Sequence, residues 1–303
     1  MKLLLTSISF FILNITVQGQ TYQERFNAVF FNDTVDVENV VPILRAWEAA
    51  QPKNAEMFIA HSNYYFTIAQ EEQMQLTTEP PSQGEQAFEI TDDEGNVEGY
   101  LRSVLGYNDS LSSIAIGYLN QALEHHPRRL DIWFGKCYTL REIGEYEDHV
   151  ETLKAVLALN EEDPDSWLWA NGEAFDQSRY DFYTSIHEYC SALATSDAPM
   201  NLIIDAIETS ITYFPEGTEL INDLGVAYFY AGDNTSAIDA FKRALATNEE
   251  DMTCISNIAY IYLIEGNLEE SRSYYELLLK SDNADDVAVA EEQLTYIQNL
   301  ESE

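Results

Sequence analysis

Apolar and small residues recur along the last third of the chain at a spacing that predicts paired helices. From Thr218 onward, Ile221, Leu224, Gly225 and Tyr228 form one stripe, Gly232 marks a turn, and Ala237, Phe241 and Ala244 form a second stripe. Shifted by 34 residues the pattern returns as Ile255, Ile258, Ala259 and Tyr262, then Gly266, then Ser271, Tyr275 and Leu278. Steps of three and four residues place each set on one helical face. A lone helix pair cannot bury such a face, so neighbouring pairs must stack. Weaker copies lie upstream: Trp133, Gly144, Leu153 and Val156 in one stretch, Ala115, Leu119, Ala122 and Pro127 in another, and Val40, Leu44, Trp47 and Pro52 before Phe58, Ile59 and Tyr65. Gly144 and Gly232 are 88 residues apart, two periods of 34 plus 20, which predicts an unpaired or atypical helix between Asp165 and Pro215. Val287, Val289, Ala290, Leu294, Ile297 and Leu300, set among acids, predict a terminal capping helix. One stretch breaks the helical rhythm. Pro80-Pro81 and Gly84 are followed by Phe88, Ile90, the Gly95-Asn96 turn, Val97 and Tyr100, a pattern open to a short inserted hairpin or to a loop.

The unit from Thr218 to Asp251 resembles the tetratricopeptide repeat family. Leu224, Gly225, Tyr228, Ala237, Phe241 and Ala244 stand where the family's 34-residue unit carries its characteristic residues, while Glu249 replaces its usual Pro. In the unit from Leu130 to Asp163, Lys136 and Cys137 replace Leu-Gly. The resemblance implies an all-α fold, a right-handed α-solenoid of stacked helix-turn-helix repeats, with the β-hairpin or loop insertion near 76–100. The organisation expected is a signal peptide over 1–19, an N-terminal linker over 20–34, degenerate repeats over 35–197, clear repeats over 198–285 and a capping helix over 286–303.

Composition narrows the function. The chain of 303 residues has 53 Asp and Glu against 15 Lys and Arg, a formal charge of -38, which excludes general nucleic-acid binding because phosphate contact needs clustered cations. With 46% apolar residues, acidity does not mark disorder. Lys2 precedes an apolar run from Leu3 to Val17, with small residues at Val17 and Gly19, the pattern of an export signal cleaved after Gly19. An uncleaved anchor or a buried first helix is the alternative. The expected location is periplasmic or secreted, with no stable membrane insertion once the signal is removed. Cys137, Cys190 and Cys254 fall inside apolar helical patterns and read as core residues. None of the five His residues has metal-site spacing, and no nucleophile elbow or phosphate loop is present, so neither a metal, a cofactor nor an enzymatic activity is expected.

What the resemblance leaves as functional surface is the groove lined by each repeat's first helix. Carried over position by position, its candidates are Phe134, Tyr138 and Arg141 upstream, Asn222, Phe229 and Tyr230 in the clear repeat, and Ser256 and Tyr260 in the next. Rings in that groove suit an extended or helical peptide, so a protein or peptide partner is expected and the chain reads as a non-catalytic scaffold or adaptor. The rival reading is an exported carbohydrate- or small-ligand-binding or hydrolytic protein using the same rings and acids. The basic cluster of Arg128, Arg129, Lys136 and Arg141 is expected to pair with the chain's own carboxylates, with an acidic partner or another copy's acidic surface as its other use.

Overall fold

The computed structural model describes residues 22–31, 37–82, 85–175 and 179–302; the expected signal peptide lies outside them. The fold divides into two compact units, the first reaching to residue 143 and including 165–175, the second comprising 144–164 and everything from 176 onward.

In the first unit, α1 (22–30), α2 (Val37–Ala50), α3 (Ala55–Ala69), α4 (Asp109–His125) and α5 (Leu130–Glu142) share one core. Phe26, Leu44, Trp47, Met57, Phe58, Tyr64, Leu119 and Ile132 meet there. Helix α1 occupies the stretch expected to be a linker, because Tyr22, Phe26 and Phe30 recur every four residues and their face packs into that core. Asn54 and Asn108 start α3 and α4 by accepting from the Met57 and Leu111 amides.

Between α3 and α4 the chain forms an antiparallel sheet of β1 (Gln70–Thr77), β2 (Ala87–Thr91) and β3 (Val97–Tyr107), ordered β1-β3-β2. The insertion is therefore ordered and is one strand larger than a hairpin. Its tight turn is built on Asp92, whose side chain accepts from the Glu94 and Asn96 amides at 2.9 and 2.8 Å while Gly95 takes φ +87°. Those bonds, led by that from the Asn96 side chain, hold the Asp92 carboxyl below its ordinary value.

Residues 165–175 close the first unit with two 3₁₀ turns. The Leu168 amide donates to Arg128 O at 2.7 Å and Leu168 O accepts from the Leu130 amide at 2.9 Å. Glu56 receives the Arg129 guanidinium and the Asn171 amide, each at 2.8 Å. Arg129 is buried and also grips Asp131 at 2.8 Å.

The second unit holds α6 (Tyr146–Glu162), α7 (Arg179–Ala194), α8 (Met200–Tyr213), α9 (Thr218–Tyr230), α10 (Asn234–Thr247), α11 (Met252–Ile264), α12 (Leu268–Leu278) and α13 (Ala284–Ser302). The extra residues between Gly144 and Gly232 are not one unpaired helix. Helices α7 and α8 form a pair, and the surplus is largely the irregular segment that follows α6. Gly225 faces Phe241 so closely that a Cβ would meet the ring at 2.6 Å, which explains the small residue there. Ile255, Ala259, Tyr275 and Leu278 close a core against Ala290 and Ile297 of α13. All three cysteines are free and buried, as the apolar pattern requires.

Candidate functional site

In the second unit the first helices of consecutive pairs present their faces in sequence. Where α9 meets α11, the Phe229 ring lies edge-on to Tyr230 at 5.6 Å and to Tyr260 at 6.0 Å. Tyr230 is 73% exposed, Tyr260 is exposed by about half, and Ile264 is exposed one turn further along α11. Four of the candidates thus converge on one surface: Phe229 anchors two open rings, and Asn222 lies earlier on α9, accepting from the Cys254 thiol at 3.4 Å. Ser256, on α11, is partly buried.

Where α7 meets α9 the face turns polar. Tyr183 donates its hydroxyl to Glu219 at 2.7 Å, and Thr218 donates to the same carboxylate at 3.2 Å. His187 lies 2.9 Å from Asp223, its ring stacked on Tyr183 with centroids 6.4 Å apart. The Tyr183 bond pulls Glu219 below the ordinary carboxylate range. Burial, then the bond to Glu219 and its charge, pushes Tyr183 up, so the phenol remains the donor and the carboxylate the acceptor. Burial raises Asp223 more than His187 lowers it. Glu219 occupies a groove position of the repeat, whereas Tyr183 and His187 escape the sequence pattern because α7 lacks the repeat signature, and Asp223 of α9 falls outside the groove positions. The 36-residue offset from Tyr183 to Glu219 and from His187 to Asp223, close to one repeat, is the signal that would find them.

In the first unit the expectation is corrected at one residue. Phe134 is only 5% exposed, because the 165–175 segment lays Trp169 edge-on to it at 6.4 Å, and it leaves the candidate surface. Tyr138 is half exposed, against Phe66 at 6.1 Å, and Phe66 in turn stacks on Tyr107 of β3 at 5.0 Å. The Arg141 guanidinium sits 5.4 Å over the Tyr138 ring and binds Glu142 at 2.6 Å. Arg128 lies over Trp167, and with Arg129 and Arg141 the basic cluster is largely consumed locally.

Helix pairs closed by Gly turns, a small residue at the close approach of α9 and α10 and an open first-helix face define a helical-repeat protein. Residues 222–286 match the family model described as tetratricopeptide repeat. A TPR repeat-containing protein of Methanocaldococcus jannaschii is 22% identical over 217 residues, 64% of this chain; the chain spans only 38% of that relative's length. Among solved structures, the C-terminal part of a TPR repeat-containing protein from Cytophaga hutchinsonii aligns over 93% of this chain and 88% of its own, with 10% identity and a TM-score of 0.45. MamA aligns over 57% of this chain and 83% of its own, with 20% identity and a TM-score of 0.37.

Proposed function

We propose that the protein is a non-catalytic interaction module whose second unit receives a peptide segment of a partner protein along the first helices α7, α9 and α11. The observation that carries this reading is the open ring pair Tyr230 and Tyr260 held in place by Phe229. Exposed aromatics fixed by a neighbour lose little conformational entropy on binding and make effective anchors. Tyr183, His187, Glu219 and Asp223 continue the same face with ordered polar groups suited to backbone recognition. Export through residues 1–19 belongs to the same proposal, and N-terminal sequencing of the protein recovered from its native cells tests it.

The binding test is affinity capture with the wild type and with Tyr230→Ala/Tyr260→Ala. A protein recovered by the wild type and lost or weakened at least ~10-fold with the double variant supports the groove, since each ring is worth more than about 1 kcal/mol at an anchor position. A partner held equally by both forms sinks it.

A further inference from the structure

The inserted sheet of the first unit carries a second candidate surface, independent of the helical groove. Its register places Leu76 opposite Leu101 and Leu101 opposite Phe88, so these three share one face. Met74, Leu105 and Ile90 continue that face by the same alternation. The other face is mostly polar: Gln75 and Arg102 stand opposite each other and bond at 3.1 Å, and Arg102 reaches Glu85 at 3.5 Å. One-sided apolar patterning belongs to a sheet that covers a core. Here the apolar face is open: Met74 is 57% exposed, Leu76 67%, Phe88 74% and Leu105 60%. The exposed apolar surface is on the order of 500 Å², near the upper end of what a monomer shows and the size that marks an interaction site.

Charge selects the occupant. Residues 70–107 carry nine acids against the single cation Arg102, a net charge of -8 in the insertion. Glu72 stands opposite Leu105 on the apolar face itself, and Asp92, Asp93 and Glu94 crowd the β2–β3 turn. A second copy would bring the same -8 to the same rim, and an anionic membrane would be repelled. A surface that is apolar at its centre and ringed by Lys and Arg satisfies both the sheet's face and its rim. We infer that this sheet face is a docking surface for a partner protein presenting an apolar patch with a basic border.

The chemistry is tested with defined probes on the full chain: fluorescent ten-residue peptides of alternating Leu and Lys, of alternating Leu and Glu, and of Lys and Ser. The wild type should bind the Leu-Lys peptide at least ~10-fold more tightly than either other peptide, because only it offers both features. Leu76→Ser/Phe88→Ser, which leaves the charge unchanged and removes only exposed side chains, should weaken that binding ~10-fold or more while circular dichroism stays the same. Gln73→Ser, on the polar face, should leave it unaltered. Absence of Leu-Lys binding, or equal binding by the wild type and the double Ser variant, overturns the inference. So does a wild-type dimer in sedimentation velocity that becomes monomeric in that variant, or capture of the wild type by phosphatidylcholine vesicles, since either would assign the face to another occupant.

Discussion

Gly225 shows how one atom decides whether two helices can close. A Cβ at this position of α9 would lie 2.6 Å from Phe241 Cε1, and Phe241 is itself fully buried, so neither side can yield cheaply. Gly225→Ala should therefore destabilise the second unit by about 1–3 kcal/mol despite the better helix propensity of Ala. Urea unfolding measures this, and pairing the change with Phe241→Leu should recover part of the loss; a neutral Gly225→Ala would show that the helices have room to part. His61 is the corresponding case for charge. It is buried in α3, stacked 4.3 Å from Tyr118 and flanked by Tyr65, with Glu48 at 3.8 Å and the Leu44 backbone against it. Burial lowers its pKa from 6.5, and Glu48 and the Leu44 backbone only partly oppose the shift. Above pH 6.5 the imidazole is neutral in both the folded and unfolded states. As pH falls through 6.5 the unfolded chain takes up a proton that the folded one refuses, so stability drops, by about 1.4 kcal/mol for each unit of depression. Between pH 7.5 and 5.5 the wild type should lose more stability than His61→Phe. Equal losses in the two melts would mean that the buried imidazole contributes nothing to the acid response.

At the scale of elements, the two matched repeats close with the same device. Gly232 and Gly266 take φ +80° and +78°, and each sends its amide back to the helix at 3.0 Å, to Phe229 O and Leu263 O. The following residues, Asp233 and Asn267, both bond at 2.9 Å to Tyr228 O and Tyr262 O. Gly232→Ala and Gly266→Ala should each cost about 1 kcal/mol or slightly more, and the Asn substitutions less, because Asn tolerates the left-handed conformation. Chemical denaturation of the four variants checks the equivalence; a several-fold difference between the two Ala variants would refute it. These turns were legible from sequence because Gly, the adjacent cap and the stripe on either side are local signals. The same holds for Gly225 against Phe241. Segment 165–175 was not legible, since its order rests on Arg128, Leu130, Glu56 and Arg129, partners far away along the chain. That segment is also what buries Phe134, whereas Tyr230 and Tyr260 are exposed. Strand β1 carries little local signal for a different reason: Gln70–Thr77 is mostly polar and runs on directly from α3, and its Met74 and Leu76 alternate too briefly to stand out. In α1 the signal was present as Tyr22, Phe26 and Phe30, but its packing partners are on α2 and α3.

For the whole molecule, excess negative charge outweighs any single polar contact. Even if every one of the 15 cations were paired with one of the 53 acids, 38 carboxylates would remain without a counter-charge. Surface ion pairs compete weakly with that excess. Lys154 with Asp205 and Arg272 with Glu301 are partly solvated, and such pairs contribute at most about 1 kcal/mol each. Arg129, buried between Glu56 and Asp131, is shielded from salt by the protein around it. Added electrolyte therefore removes little attraction and much repulsion. Raising NaCl from 0.05 to 0.5 M shortens the screening length from roughly 14 to 4 Å, so carboxylates further apart than that cease to repel one another appreciably. The thermal midpoint at pH 7 should rise steadily over that range, and Arg129→Met should lower the whole curve by the equivalent of about 3 kcal/mol of stability without changing its slope, because that cost is the stranding of two carboxylates inside the first unit. Calorimetry on both proteins decides the matter: a midpoint that falls with salt would place the net stability in surface ion pairs, and a slope altered by Arg129→Met would place that cluster within reach of solvent ions.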